Sequence, residues 1–267
     1  MKVGAIDVQP VYDGVGKEKA DEVLTRPGVP DAWACHPDAV DEHGMLRFDL
    51  GGFLVRTGDR AILVDAGVGT IDNGKYAGGR FLESLQALGV TPTDVTDVVF
   101  THLHFDHVGW ATKKGEVVFP RATYRVHAAD WAHFVESPDA DPGALRKLTP
   151  LRERLETFDT DGALAPGLSA RHTPGHTPGS TVYVLADGDE RALLLGDVVH
   201  SVVELHERDW EAVFDVDPAA ARAVRNAIAD EVADSTDLVV DAHFPGLRFG
   251  RVVTVAGDRT FVAEERG

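Results

Sequence analysis

Three imidazoles and one carboxylate fall between His102 and His107, in the run Thr101-His102-Leu103-His104-Phe105-Asp106-His107. Neutral imidazole and carboxylate are the donors that hold zinc and similar divalent ions in hydrolytic sites. In an extended segment side chains alternate faces, so His102, His104 and Asp106 are expected to point the same way. His107 diverges only if the chain turns there. The arrangement suits two ions side by side rather than one tetrahedral centre.

Three later segments add donors. His176 lies in Thr173-Pro174-Gly175-His176-Thr177-Pro178-Gly179, where two Pro-Gly pairs fix a tight turn around one imidazole. Asp197 follows the apolar run Leu193-Leu194-Leu195-Gly196, and His243 follows Leu238-Val239-Val240-Asp241. A lone loop histidine is usually a surface residue. Together these positions give five His and two Asp, each at a strand end or in a Pro/Gly turn. Cys35 is the only cysteine, which excludes an intrachain disulfide and a thiolate-rich zinc site.

The elements that must position these donors alternate between strands and helices. Gly52 to Arg56 and Ala61 to Asp65 flank the polar turn Thr57-Gly58-Asp59-Arg60 and predict a hairpin. Asp65-Ala66-Gly67-Val68-Gly69 lacks a dinucleotide-binding glycine spacing and is expected to be a turn. Phe81, Leu82, Leu85 and Leu88 recur at helical spacing before Gly89, a cap. Val95 to Phe100 reads as a strand running straight into the histidine cluster, so the ligands sit where the chain leaves a sheet. Ala122 to Val126 predicts a strand, followed by a helix near 128–135. Thr181 to Leu185 and Arg191 to Leu195 predict strands paired across Asp187-Gly188-Asp189. Asp217-Pro218 is a helix start, with Ala221, Val224, Ile228 and Val232 as its apolar face.

Length and composition bound the rest. A chain of 267 residues, 43% hydrophobic and 26% charged, suits an ordinary soluble protein with a sizeable core. We expect one domain over 1–267, with 1–50 as an N-terminal extension and pocket segment and 137–160 as an irregular insertion. Lys plus Arg number 26 against 44 Asp plus Glu, a formal charge of −18. That acidity opposes binding to nucleic acid and to anionic membranes. The N-terminus has no apolar signal core of the usual length, no run approaches a membrane span, and a cytoplasmic location is expected.

His102-x-His104-x-Asp106-His107, followed in order by His176, Asp197 and His243, resembles the metallo-β-lactamase superfamily from about Gly51 to Pro245. The resemblance implies an α/β fold, a four-layer αββα sandwich of two mixed sheets with the metal site at one edge. It implies that His102, His104 and His176 hold one divalent ion, that Asp106, His107 and His243 hold a second, and that Asp197 bridges both. Zinc is the first expectation, with iron, manganese or cobalt as alternatives. The implied chemistry is hydrolysis by a metal-bridging hydroxide, with Asp106 orienting the nucleophile or returning a proton.

Within the superfamily, Gly196-Asp197-Val198-Val199-His200, Phe214-Asp215-Val216-Asp217 and Ala242-His243-Phe244-Pro245-Gly246 resemble the branch of quorum-quenching N-acyl homoserine lactone lactonases and methyl parathion hydrolase-like enzymes. His200 stands where the better-known small lactonases carry a Tyr that contacts the substrate carbonyl, and its imidazole can donate a hydrogen bond there. The expected pocket walls are 137–150, the stretch around Trp33, Met45 and Phe48, and Phe105 with Trp110; such walls suit an acyl chain or aryl ester. The expected function is opening of a lactone or cleavage of a related ester in a small-molecule substrate, with homodimerisation open. A phosphotriesterase or aryl ester hydrolase and a single-iron sulfur dioxygenase are the alternatives.

Overall fold

Strands whose two faces are both apolar must be covered on both sides, and that requirement organises the architecture. In the computed structural model, which describes residues 1–264, two mixed sheets stack face to face. The first runs in the order β1 (Lys2–Val3), β2 (Ile6–Lys19), β3 (Met45–Thr57), β4 (Arg60–Val64), β5 (Asp97–Val99), β6 (Thr123–His127) and β7 (Leu155–Phe158). The strands from β4 to β7 are parallel and the earlier ones antiparallel. The second sheet runs β8 (Gly162–Ala165), β9 (Leu168–His172), β10 (Thr181–Asp187), β11 (Glu190–Leu194), β12 (Leu238–Val240), β13 (Gly250–Val255) and β14 (Asp258–Ala263). Only β11 and β12 pair in parallel there, among the described residues.

Period-2 alternation divides each strand between layers. Ile62 and Val64 of β4 meet Tyr183 and Leu185 of β10 and Ala192 and Leu194 of β11 between the sheets. Leu63 points the other way, into a layer with Phe81 and Leu85 of helix α1 (Phe81–Ala87) and Trp131 of α2 (Ala128–Trp131). Leu193 and Val239 pack outward against Ile228, Ala229 and Val232 of a long helix, Pro218–Val232. The result is the αββα sandwich expected from the sequence. Asp217 caps the long helix by accepting from the Ala220 N–H at 3.0 Å.

Two expectations need correction. Residues 1–50 are not simply an appended segment: β2 pairs with β3 along nearly its whole length, so 2–19 and 45–50 belong to the first sheet, while 20–44 leave it for a satellite cluster. Residues 137–160 are not irregular. Asp141 caps a helix, α3 (Pro142–Leu148), and β7 follows in register with β6. The segment folds because Leu148 and Leu151 are fully buried against the outer layer. No helix among the described residues is long and apolar enough to cross a membrane.

Candidate metal centre

All seven donors converge at one edge of the sandwich, where strands of both sheets end. The chain leaves β5 and enters a loop, and the His107 and Val108 N–H groups both return to the His104 carbonyl. That turn breaks the extended alternation. Asp106 therefore leaves the side of His102 and His104, contrary to the face-sharing expected from spacing alone, and groups with His107 and His243.

Two donor groups result. In the first, His102 Nε2 and His104 Nδ1 are 3.0 Å apart, His104 Nδ1 and His176 Nε2 2.8 Å, and His102 and His176 Nε2 3.3 Å. Asp197 Oδ2 lies 3.6 Å from His102 Nε2 and 3.4 Å from His176 Nε2. In the second, His107 Nε2 and His243 Nε2 lie 3.0 Å and 3.1 Å from Asp197 Oδ1, and Asp106 Oδ2 lies 3.7 Å from His243 Nε2. One carboxylate thus offers one oxygen to each group.

The donors fit cations. His107 Nε2 and Asp197 Oδ1 are buried and make no hydrogen bond, although they are 3.0 Å apart. A cation between them would answer both. Burial, with the neighbouring His107, keeps His102 well below the ordinary imidazole range, and burial with His176 pushes His104 down to about 3. Those rings are unprotonated and present lone pairs. Burial opposes a proton on His107 and His243 too, but the surrounding carboxylates, Asp197 foremost with Asp106 and with Asp65 or Asp241, together outweigh it; His107 rises well above its usual range and His243 to about 10. For Asp197 the same charges overcome burial and hold it far below the carboxylate range.

The second ring nitrogens are fixed as metal-ligating histidines require. His176 Nδ1 donates to Asp215 Oδ1 at 3.0 Å, His107 Nδ1 to Asp65 Oδ2 at 2.9 Å, and His243 Nδ1 to the Asp49 carbonyl at 3.1 Å. Asp65 holds a left-handed φ of 62° and also accepts from the Thr101 N–H and hydroxyl, which over-determine that strained backbone. Asp130, fully buried, accepts the Leu103 N–H at 3.0 Å and the Gly179 N–H at 2.6 Å, tying the cluster loop to the His176 turn. Burial pushes its carboxyl up to about 6.

Sequence reasoning missed these supports. Asp65 had the same signal as Asp197, an acid closing an apolar strand, but its glycine neighbours drew it into a turn reading. Asp215 lay in a segment already singled out, yet nothing local tied it to His176.

A pocket of about 270 Å³ opens above the donors, walled by Phe48, Tyr76, Phe105, Phe214 and His200 with His104, Asp106, Asp197 and His243. Phe105 is 50% exposed at the rim. His200 is buried, and neither ring nitrogen makes a hydrogen bond; its Nε2 lies 3.7 Å from Asp197 Oδ2 and its Nδ1 3.6 Å from Glu204 Oε2. The other expected walls lie elsewhere. Trp33 packs on Trp210 at 5.0 Å and donates to the Leu24 carbonyl, because an apolar N-terminal cluster captures it. Met45 lines a neighbouring cavity, Trp110 is buried donating to Asp13, and α3 covers the first sheet rather than the pocket. Tyr76 and Phe214 take those places.

The sequence matches the family described as Metallo-beta-lactamase superfamily over residues 52–243. It is 31% identical over 207 residues to Metallo-beta-lactamase domain-containing protein 1 of Mus musculus, covering 76% of this chain and 66% of that protein. It is 27% identical over 152 residues to an N-acyl homoserine lactonase of a Bacillus species, covering 51% of this chain and 57% of that one. The chain thus spans less than two thirds of either relative. Among solved structures it resembles AidC, a dizinc quorum-quenching lactonase in complex with a product, with a TM-score of 0.89 at 24% identity, covering 100% of this chain and 97% of the other.

Proposed function

From its membership of the metallo-beta-lactamase superfamily, we propose that this chain is a dinuclear metal-dependent hydrolase that opens a lactone, foremost an N-acyl homoserine lactone, or cleaves a related ester. The observation that carries this reading is Asp197, which offers one carboxylate oxygen to each of two donor groups. His102, His104 and His176 would hold one divalent ion, Asp106, His107 and His243 the other, with zinc the expected metal. When bound, such ions polarise a carbonyl and lower the pKa of water to near neutrality.

The chain's own residues do the rest. Asp106 lines the pocket and can take up the nucleophile's proton and return it to the leaving oxygen. His200 offers an unpartnered ring nitrogen to the substrate carbonyl. Phe48, Phe105 and Phe214 exclude water from an acyl chain, which runs out over the exposed Phe105. The Bacillus lactonase relative supports the substrate class. The four aromatic rings around the pocket would equally seat an aryl leaving group, which favours an aryl phosphotriester or aryl ester as the second reading.

Metal-replete protein should be given an acyl homoserine lactone, an aryl ester and an aryl phosphotriester, each with and without chelator. Chelator-sensitive turnover, fastest on the lactone, is expected. A lactone left untouched while the phosphotriester turns over would replace the first reading by the second, and inertness towards all three would overturn both.

A further inference from the structure

Arg225 lies on the buried face of the helix Pro218–Val232, among Ala221, Ile228 and Ala229, and is 1% exposed. A guanidinium keeps its charge wherever it is placed, and burying it is costly unless every donor is answered. Here Nε donates to the Val198 carbonyl at 2.7 Å and lies 2.9 Å from Glu204 Oε1. Nη1 donates to the Trp210 carbonyl at 2.8 Å, and Nη2 to Asp215 Oδ2 at 3.3 Å.

Three of these four acceptors belong to different supports of the site, and the Trp210 carbonyl anchors the remaining arm. Glu204 turns its other oxygen, Oε2, to the backbone N–H groups of His200 and Ser201, at 2.5 and 2.9 Å. Asp215 turns its other oxygen, Oδ1, to Nδ1 of His176. Val198 directly follows Asp197 in the short turn Gly196–Val198. A buried ion triad used only for stability is commonly matched by apolar residues of similar volume. A planar fork with several fixed donors instead sets the mutual orientation of what it holds.

We propose that Arg225 is a positioning residue, a buried clamp that holds His176, Asp197 and the pocket histidine His200 in register through Asp215, Val198 and Glu204. The inference rests on the reading of His176 and Asp197 as metal ligands and of His200 as facing substrate. No covalent step belongs to Arg225. Its work is to keep the three groups at fixed separations.

The test compares Arg225→Lys and Arg225→Met with the wild-type chain. Lysine keeps the charge but presents a point rather than a fork. Zinc affinity, read by chelator competition, should fall about 10- to 100-fold in both variants. The imidazole nitrogen resonances of His176 and His200 should shift together while those of His243, held from the Asp49 carbonyl, stay in place. On a hydrolysed substrate, kcat should fall by a larger factor than KM rises. If Arg225→Met does not fold, Arg225→Lys and Glu204→Gln carry the same measurements. A variant with lowered thermal stability but unchanged zinc affinity and unmoved His176 and His200 resonances would overturn the proposal. Failure of the wild-type chain to hydrolyse any lactone or ester would sink the proposed function instead, since zinc affinity and resonances are read without substrate.

Discussion

Asp197 and His200, three residues apart, have different partners and therefore different predicted phenotypes. Asp197 touches donors of both groups, so Asp197→Asn should lose metal and activity together; metal analysis beside a rate measurement checks this, and full metal content at an unchanged rate would contradict it. His200 lines the pocket with ring nitrogens that make no hydrogen bond, so His200→Ala should keep its metals while kcat falls about 10²- to 10⁴-fold. The donors were legible because their chemistry is narrow: few uses other than metal binding gather five His and two Asp at strand ends. The grouping of Asp106 was not, because a turn at His104–Val108 replaces the extended geometry that spacing suggests. Trp33 misled because an aromatic near the site in sequence satisfies its N–H and its apolar face equally well in a satellite core.

Loops carry the proposed ligands, and the elements between them set where those loops meet. Asp130, on α2, uses two oxygens to hold two ligand loops by their backbone N–H groups. Asparagine has one side-chain acceptor, so Asp130→Asn leaves one buried N–H unpaired at a cost of about 1–3 kcal/mol. Thermal unfolding should reveal that loss, and zinc affinity should fall with it; a variant unchanged in both would remove Asp130 from the account. The buried strands were readable from their continuous apolar runs, and the hairpin at Gly58-Asp59 from its turn residues. Strand β2 was not, since Pro10 and a register shift between Tyr12 and Gly14, with Asp13 buried, break its alternation. Helix α3 carries the same Asp-Pro start as the long helix, Asp141-Pro142 beside Asp217-Pro218, but its seven residues and flanking prolines mask the periodicity.

Across the whole molecule, stability and charge depend on what the site holds. In chelator-treated protein, burial opposes the His243 proton, but Asp197, Asp241 and Asp106 together outweigh it and raise its pKa from 6.5 to about 10. The folded chain keeps a proton that the unfolded chain sheds, so this stabilisation is complete below about pH 6.5 and is lost as pH rises through 10. Urea unfolding of chelator-treated protein should show stability falling across that window. The metal-loaded chain should resist the fall, since its ligating imidazoles are already deprotonated; identical profiles would argue against His243 as a ligand. The sandwich as a whole was legible through the order of its donors, whereas the pocket was not, because Tyr76 reaches it from the two-residue strand Tyr76–Ala77 paired with β2 and Phe214 from a turn, both far in sequence from the donor cluster.

The proposed site holds two ions that act together in hydrolysis. Zinc should be titrated into metal-free protein while lactone ring opening is followed by proton release. Activity should rise to a plateau at two ions per chain. Full activity at one ion per chain, or ring opening that persists without metal, would contradict it.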